Sequence, residues 1–128
     1  MIVVDCSAVL DALVRDDVEH VHALLADGRF AAPTVIDYEV LSGLRGLVRG
    51  KRLSTHAARD ALTDFDQLPL ERWHLAEPLR RRVFDLRENL TAYDAAYVVL
   101  AESLDCSLVT RDRKLAAAAR RLIDVTVA

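Results

Sequence analysis

A chain of 128 residues is the size of one domain, spanning 1–128, and is long enough to bury roughly two-thirds of the surface it exposes when unfolded. Its composition, 52% apolar and 29% charged, excludes a disordered segment, and a net charge of -3 excludes a uniformly basic nucleic-acid coat while leaving local basic clusters free to act. The longest apolar runs fall short of a membrane span, and no basic segment or cleavage site precedes the first of them, so a cytoplasmic protein with no membrane partner is expected.

In chain order, Ile2-Val3-Val4 reads as a buried strand that stops on Asp5, and Ser7 is a suitable N-cap for a helix over 8–14. Asp5 is thereby set in the crevice between strand and helix, the place where open α/β sheets bind ligands. A second helix is predicted over 17–25, closed by Asp27-Gly28. His20 and His22 fall within it two residues apart, a spacing that points them to different sides and reads as surface histidines. Phe30-Ala31-Ala32 offers a short strand, and Pro33-Thr34 opens a long helix to about Arg49, with Val40, Leu41, Leu44, Leu47 and Val48 in helical period.

Within that helix Glu39 shares a stripe with Gly43, Gly46 and Gly50. Gly50 can simply end the helix. Glycine inside a helix costs about 0.5–1 kcal/mol relative to alanine, so Gly43 and Gly46 require a reason. Either another helix packs closely there, or a substrate or partner backbone approaches along a groove leading to Glu39. Asp37 projects elsewhere and reads as solvated.

Ser54-Thr55 opens the next helix, which buries Ala58, Ala61, Leu62, Phe65 and Leu68. Leu70 to Trp73 is a candidate edge strand, since Pro69 suits an edge, with Trp73 as a packing residue. The amphipathic helix 77–88 turns Leu79, Val83 and Leu86 inward, and its arginines Arg80, Arg81, Arg82 and Arg87 read as a solvated face with phosphate contact as the rival use. Thr91 and Asp94 have capping-box spacing at the head of a helix that is apolar on nearly every side and therefore central. Ser107 to Thr110 is a second buried strand, followed by Arg111 and by Asp112 as the cap of a helix over 113–121. Ile123 to Val127 is a last strand. Cys6 follows the first strand and Cys106 precedes a parallel one, so the two thiols sit at opposite edges of the sheet, too far apart to bridge, and are expected to be reduced.

Strands alternating with helices predict an α/β fold, a parallel sheet covered on both faces by helices. Asp5 and the segment Thr110 to Asp112 then end two strands at one edge, and Asp94 heads the helix leading into the second. Four acids, Asp5, Glu39, Asp94 and Asp112, can meet in one pocket. Like charges brought together raise one another's pKa, so such a set calls for a cation. Oxygen-only donors favour Mg²⁺, with Mn²⁺ as a substitute, over zinc. Thr110 is placed to orient a carboxylate or a water, and helix N-termini at Asp94 and Asp112 favour the ionised acids.

Asp5 in a hydrophobic-Asp-x-Ser start, Glu39 in a long helix, Thr91-x-x-Asp94 heading an apolar helix, and Thr110-x-Asp112 after a strand resemble the PIN domain, and the compact length resembles the VapC ribonuclease toxins of bacterial VapBC modules. The resemblance spans essentially the whole chain. It implies a sheet in the order 3-2-1-4-5, a Mg²⁺-dependent endoribonuclease that hydrolyses RNA phosphodiesters with metal-activated water, a cognate VapB-like antitoxin and a homodimer. By the same resemblance Asp5 and Asp94 are the principal metal ligands, with Glu39 and Asp112 completing the set. Arg111, Arg113 and Lys114, beside the acids, are candidates for holding RNA phosphates, against a plain surface role. A haloacid-dehalogenase-type phosphatase would need a second Asp where Ser7 stands. A receiver domain would need an acceptor Asp ending a middle strand and a Lys after a later one, and neither is visible. The rival of a different kind is a PIN-like module that binds RNA or a partner without cutting.

Overall fold

Five strands, β1 (Ile2–Val4), β2 (Phe30–Pro33), β3 (Leu70–Trp73), β4 (Ser107–Thr110) and β5 (Val125–Val127), form one parallel sheet in the order β3-β2-β1-β4-β5. This is the order 3-2-1-4-5 expected from the sequence. The computed structural model describes residues 1–15 and 28–127. The helix expected over 17–25, with His20 and His22, lies outside the described residues. Among those described, the helices are α1 (Cys6–Val14), α2 (Ile36–Arg49), α3 (Thr55–Gln67), α4 (Glu77–Asp85), α5 (Ala92–Ser103) and α6 (Arg113–Ala119).

Both faces of the sheet are covered, because neighbouring residues of a strand point to opposite sides and yet are buried together: Val3 with Val4, Ala31 with Ala32, Leu108 with Val109. α1 packs with α2 and α3, while α5 lies on β1, β2 and β4 and carries α4 on its outside. The all-round apolar sequence of α5 makes it the innermost helix, with Tyr97, Val98, Val99 and Leu100 essentially inaccessible. Each such side chain contributes roughly 1.5–3 kcal/mol by burial, so α5 is held by packing more than by helix propensity.

The ends of α5 set up the strand that follows. Thr91 Oγ1 accepts from Asp94 N at 3.1 Å to begin the helix. At the far end Asp105 adopts a left-handed φ of 50°, while Cys106 N bonds to Ala101 O and Asp105 N to Glu102 O, the paired reversal that turns the chain directly into β4. α2 ends the same way on Lys51, φ 57°, with Arg52 N on Leu47 O, so the left-handed residue is Lys51 and not Gly50.

Several boundaries differ from the sequence expectation for local reasons. α1 begins at Cys6 because Asp5, not Ser7, is its cap. Pro33 belongs to β2, and Thr34 N still bonds to Trp73 O, so α2 cannot start before Ile36. β5 begins at Val125 because Leu122 N and Ile123 N bond back to Ala119 O, closing α6. The chain steps from β1 outward to β2 and β3, then crosses back to β4 and β5 on the other side. The switch point therefore lies between the carboxyl ends of β1 and β4, where a doubly wound sheet opens a crevice.

Candidate active site

Asp5 occupies that switch point. Its backbone N–H extends the ladder to Val109 O at 3.1 Å, so the residue is still held by the sheet when its side chain turns into the crevice. The residue is only 5% exposed. Oδ1 accepts from Ala8 N at 3.0 Å, which caps α1, and from Ser7 Oγ at 2.7 Å, while Oδ2 accepts from Thr110 Oγ1 at 2.5 Å. Ser7 and Thr110 also work backwards into the chain, Ser7 Oγ accepting from Arg111 N and Thr110 Oγ1 from Asp112 N, both at 2.9 Å. Two hydroxyls thus fix the carboxylate and the turn after β4 at once. Both protons go to Asp5, so the 3.2 Å approach of the two hydroxyl oxygens is a contact and not a further bond.

The three other predicted acids surround this point. Glu39 sits in the first turn of α2, half-buried, with Oε1 accepting from Tyr97 Oη at 2.6 Å. Asp94 sits in the first turn of α5, beside the Thr91 hydroxyl, which favours its ionised form. Asp112 caps α6, Oδ1 accepting from Lys114 N at 2.9 Å and Leu115 N at 3.1 Å. Burial above all pushes the Asp5, Glu39 and Asp94 carboxyls above the usual carboxylate range, and repulsion among the acids adds to it. The repulsions make a pattern. Asp112 raises both Asp5 and Asp94, and Asp94 and Asp5 both raise Glu39, so Asp5 and Asp94 are central and the other two flank them.

Among the described residues none of the four carboxylates has a Lys, Arg or His within ion-pair distance. Nor do three acids close into a ready cage there, as expected of like charges that hold one another at arm's length. The donor set nevertheless fits a hard divalent cation. Each carboxylate oxygen has two lone pairs, and the bonds described leave open one on Asp5 Oδ2, one on Glu39 Oε1, all of Glu39 Oε2 and Asp112 Oδ2, and most of those on Asp94, which only the Thr91 hydroxyl engages. Burial pushes the Cys6 thiol, beside Glu39 and Asp5, up to about 12, which makes it an inert neighbour and not a nucleophile. Both cysteines are free.

Of the basic candidates, Arg111 is tied back to Asp11 at 3.0 Å, an acid it shares with Arg15, whereas Arg113 and Lys114 are exposed and make no ion pair among the described residues. Asp37, expected to be merely solvated, pairs with Arg72 at 2.7 Å. Gly43 has a packing reason: a Cβ there would stand 2.5 Å from Leu10 Cδ2, so α1 rests on α2 one turn beyond Glu39. Gly46 faces open space. Trp73, expected as a packing residue, is 38% exposed and borders an apolar groove with Phe84, Val35 and Val83. Sequence reasoning missed two residues. Ser7 holds a carboxylate where it was expected to cap a helix, and Tyr97 was read only as part of an apolar helix. The available signal for Tyr97 was a hydroxyl three residues after Asp94, on the same face of that helix.

Comparison with known proteins gives a consistent result. The PIN domain family model matches residues 2–121. The chain is similar to Ribonuclease VapC9 of Mycobacterium tuberculosis strain H37Rv, with 41% identity over 127 residues that cover 99% of this chain and 98% of that one. Among solved structures, PAE2754 from Pyrobaculum aerophilum superposes with a TM-score of 0.73 at 26% identity, covering 96% of this chain and 89% of that one. VapBC2 from Rickettsia felis, bound to a DNA fragment from its promoter, shares the fold with a TM-score of 0.70 at 17% identity, over 99% of this chain and 98% of that one.

Proposed function

The chain belongs to the PIN domain family, and from that premise we propose that it is a VapC-type endoribonuclease toxin that hydrolyses RNA phosphodiester bonds with Mg²⁺, or Mn²⁺ in its place. The observation that carries the reading is a set of four acids at the strand-switch point, without a counter-charge among the described residues and with carboxylate oxygens left open. Asp5 and Asp94 would hold the ion, with Glu39 and Asp112 completing its surroundings directly or through water. When bound, such an ion supplies an activated water and offsets the charge that develops on a phosphoryl oxygen.

The chain's own residues do the placing. Thr110 and Ser7 lock Asp5 so that its open lone pair keeps one direction, and the first turn of α5 presents Asp94 where the helix dipole favours its ionised form. Arg113 and Lys114, exposed beside Asp112, are free to grip RNA phosphates, while Arg111 acts through its ion pair with Asp11 to keep the turn after β4 in place. We take the functional unit to be one domain over 1–128, acting in the cytoplasm. No helix among the described residues is long and apolar enough to cross a membrane. A VapB-like antitoxin and a second copy of the chain are the proposed protein partners. The VapBC-type relatives support the first. Exposed apolar residues such as Tyr38, Phe84 and Tyr93 offer surface for such contacts.

The deciding experiment replaces Asp5 or Asp94 by alanine and assays RNA cleavage in Mg²⁺. Each variant is expected to lose cleavage by more than about 100-fold, beyond what loss of a supporting group costs. Asp94→Ala is the cleaner arm, because Asp94 is only half-buried and its side chain caps no helix, whereas Asp5 also caps α1, worth about 1 kcal/mol. Cleavage retained in the folded Asp94→Ala protein would overturn the assignment. A wild-type protein that binds RNA in Mg²⁺ without cutting it would turn the reading to a non-catalytic module.

A further inference from the structure

We infer that Tyr97 is a positioning residue of this site: its hydroxyl holds Glu39 so that the open oxygen of that carboxylate serves the same cation as Asp94. The inference rests on the metal-dependent reading above. Tyr97 is 1% exposed, and its hydroxyl donates to Glu39 Oε1 at 2.6 Å, leaving Oε2 without a partner among the described residues. Tyr97 follows Asp94 by three residues on α5, so the donor and Asp94 ride on one face of one rigid element.

A glutamate has three side-chain torsions and up to about 2 kcal/mol of rotamer freedom, so a carboxylate reaching in from α2 would otherwise sample several positions. Two contacts remove that freedom. Leu10 of α1 lies against Gly43, one turn after Glu39, and fixes the backbone of α2. Tyr97 fixes the tip. The spacing between Glu39 and Asp94 is then set by the buried core and not by two independent side chains. The bond also favours the ionised form of Glu39, opposing the burial and the repulsion from Asp94 and Asp5 that push its carboxyl up. A buried tyrosine needs some acceptor. The use of a member of the acidic set as that acceptor is what makes the contact part of the site.

Tyr97→Phe removes the hydroxyl and keeps the ring. Calorimetric titration of Mn²⁺ into the RNA-free protein should show affinity about 10-fold or more weaker than wild type, the usual cost of losing a group that orients a ligand. The Mg²⁺ concentration for half-maximal cleavage should rise in step, with the rate at saturating Mg²⁺ largely recovered. In a Glu39→Ala background the same change should have no further effect on Mn²⁺ affinity. Wild-type affinity in Tyr97→Phe would overturn the inference, and so would an equal loss in both backgrounds, because the hydroxyl would then act through packing.

Wild-type protein that binds no Mn²⁺, or Asp94→Ala protein that binds it as well as wild type, would instead fell the metal reading and the inference with it. Should Tyr97→Phe not fold, ring-labelled wild-type protein provides the answer. The tyrosine signal that survives in both Tyr38→Phe and Tyr93→Phe belongs to Tyr97. It should shift on adding Mg²⁺ in wild type and stay fixed in Glu39→Ala, and a signal that stays fixed in wild type would overturn the proposal.

Discussion

The outer surface of α4 and α5 and the crevice at the strand-switch point use the same residue types in opposite ways. On the outer surface two carboxylates are answered by arginines: Arg81 meets Glu77 at 2.9 Å, and Arg82 forks onto Glu102 at 3.0 and 3.1 Å. Elsewhere on the surface Arg72 meets Asp37. In the crevice Asp5, Glu39, Asp94 and Asp112 have no basic neighbour within ion-pair distance among the described residues, although burial makes an uncompensated charge far more costly there. The three consecutive arginines, open on sequence to a phosphate role, all have partners within the fold. Arg81 and Arg82 are in ion pairs, and Arg80 donates to Leu75 O at 3.0 Å.

Neutralising an acid should therefore have opposite consequences in the two regions. Asp94→Asn should abolish cleavage, by more than about 100-fold, yet raise the melting temperature of the metal-free protein, because it removes a buried repulsion. Acidification should imitate it. The Asp5, Glu39 and Asp94 carboxyls titrate higher folded than unfolded, so their contribution to stability is fully present below the ordinary carboxylate range near 4 and is lost as pH rises through their raised values. Metal-free wild type should gain stability as pH falls from neutral toward about 5, Asp94→Asn should gain less, and Mg²⁺ should flatten the dependence. Unfolding curves at several pH values that are the same for both proteins would break the comparison.

Smaller effects mark where the reserved region ends. Gly46 lies on the Glu39 stripe with open space beside it and no left-handed φ, so Gly46→Ala should stabilise α2 by about 0.5–1 kcal/mol. Undiminished cleavage and antitoxin binding would confine the site to the first turn of α2, whereas loss of either would show that a ligand approaches along the stripe. Arg82→Ala, on the paired surface, should cost only about 0.2–1 kcal/mol by denaturant melt and leave cleavage unchanged.

The parts of this arrangement that depend on local chemistry were legible in the sequence. An apolar triplet halted by Asp5 is a buried strand delivering a carboxylate, and a helix apolar on all sides has nowhere to sit except against the sheet. The strand order, by contrast, came from the likeness to a known family and not from periodicity. Ser7 was misread because Asp and Ser are both good caps. The choice between them is made by Thr110, 103 residues further on, whose hydroxyl shares the carboxylate with Ser7. The Tyr97 bond to Glu39 spans 58 positions, and the Arg111 pair with Asp11 is likewise tertiary, so neither leaves a trace in local pattern. Gly43 illustrates the middle case: the sequence showed that a reason was needed, and only the packing of Leu10 supplied it.

The lock on Asp5 also has a consequence for the order of events during synthesis. β1 leaves the ribosome well before its partner β4, since Thr110 lies 105 positions after Asp5, and at about 5–20 residues per second several seconds separate them. Through that interval Asp5 has no neighbouring strand on one side and no clamp on one oxygen. On the proposed reading, a chain that stops short of β4 would lack a complete site, and the interval before β4 emerges is one in which a partner made alongside it could already be waiting.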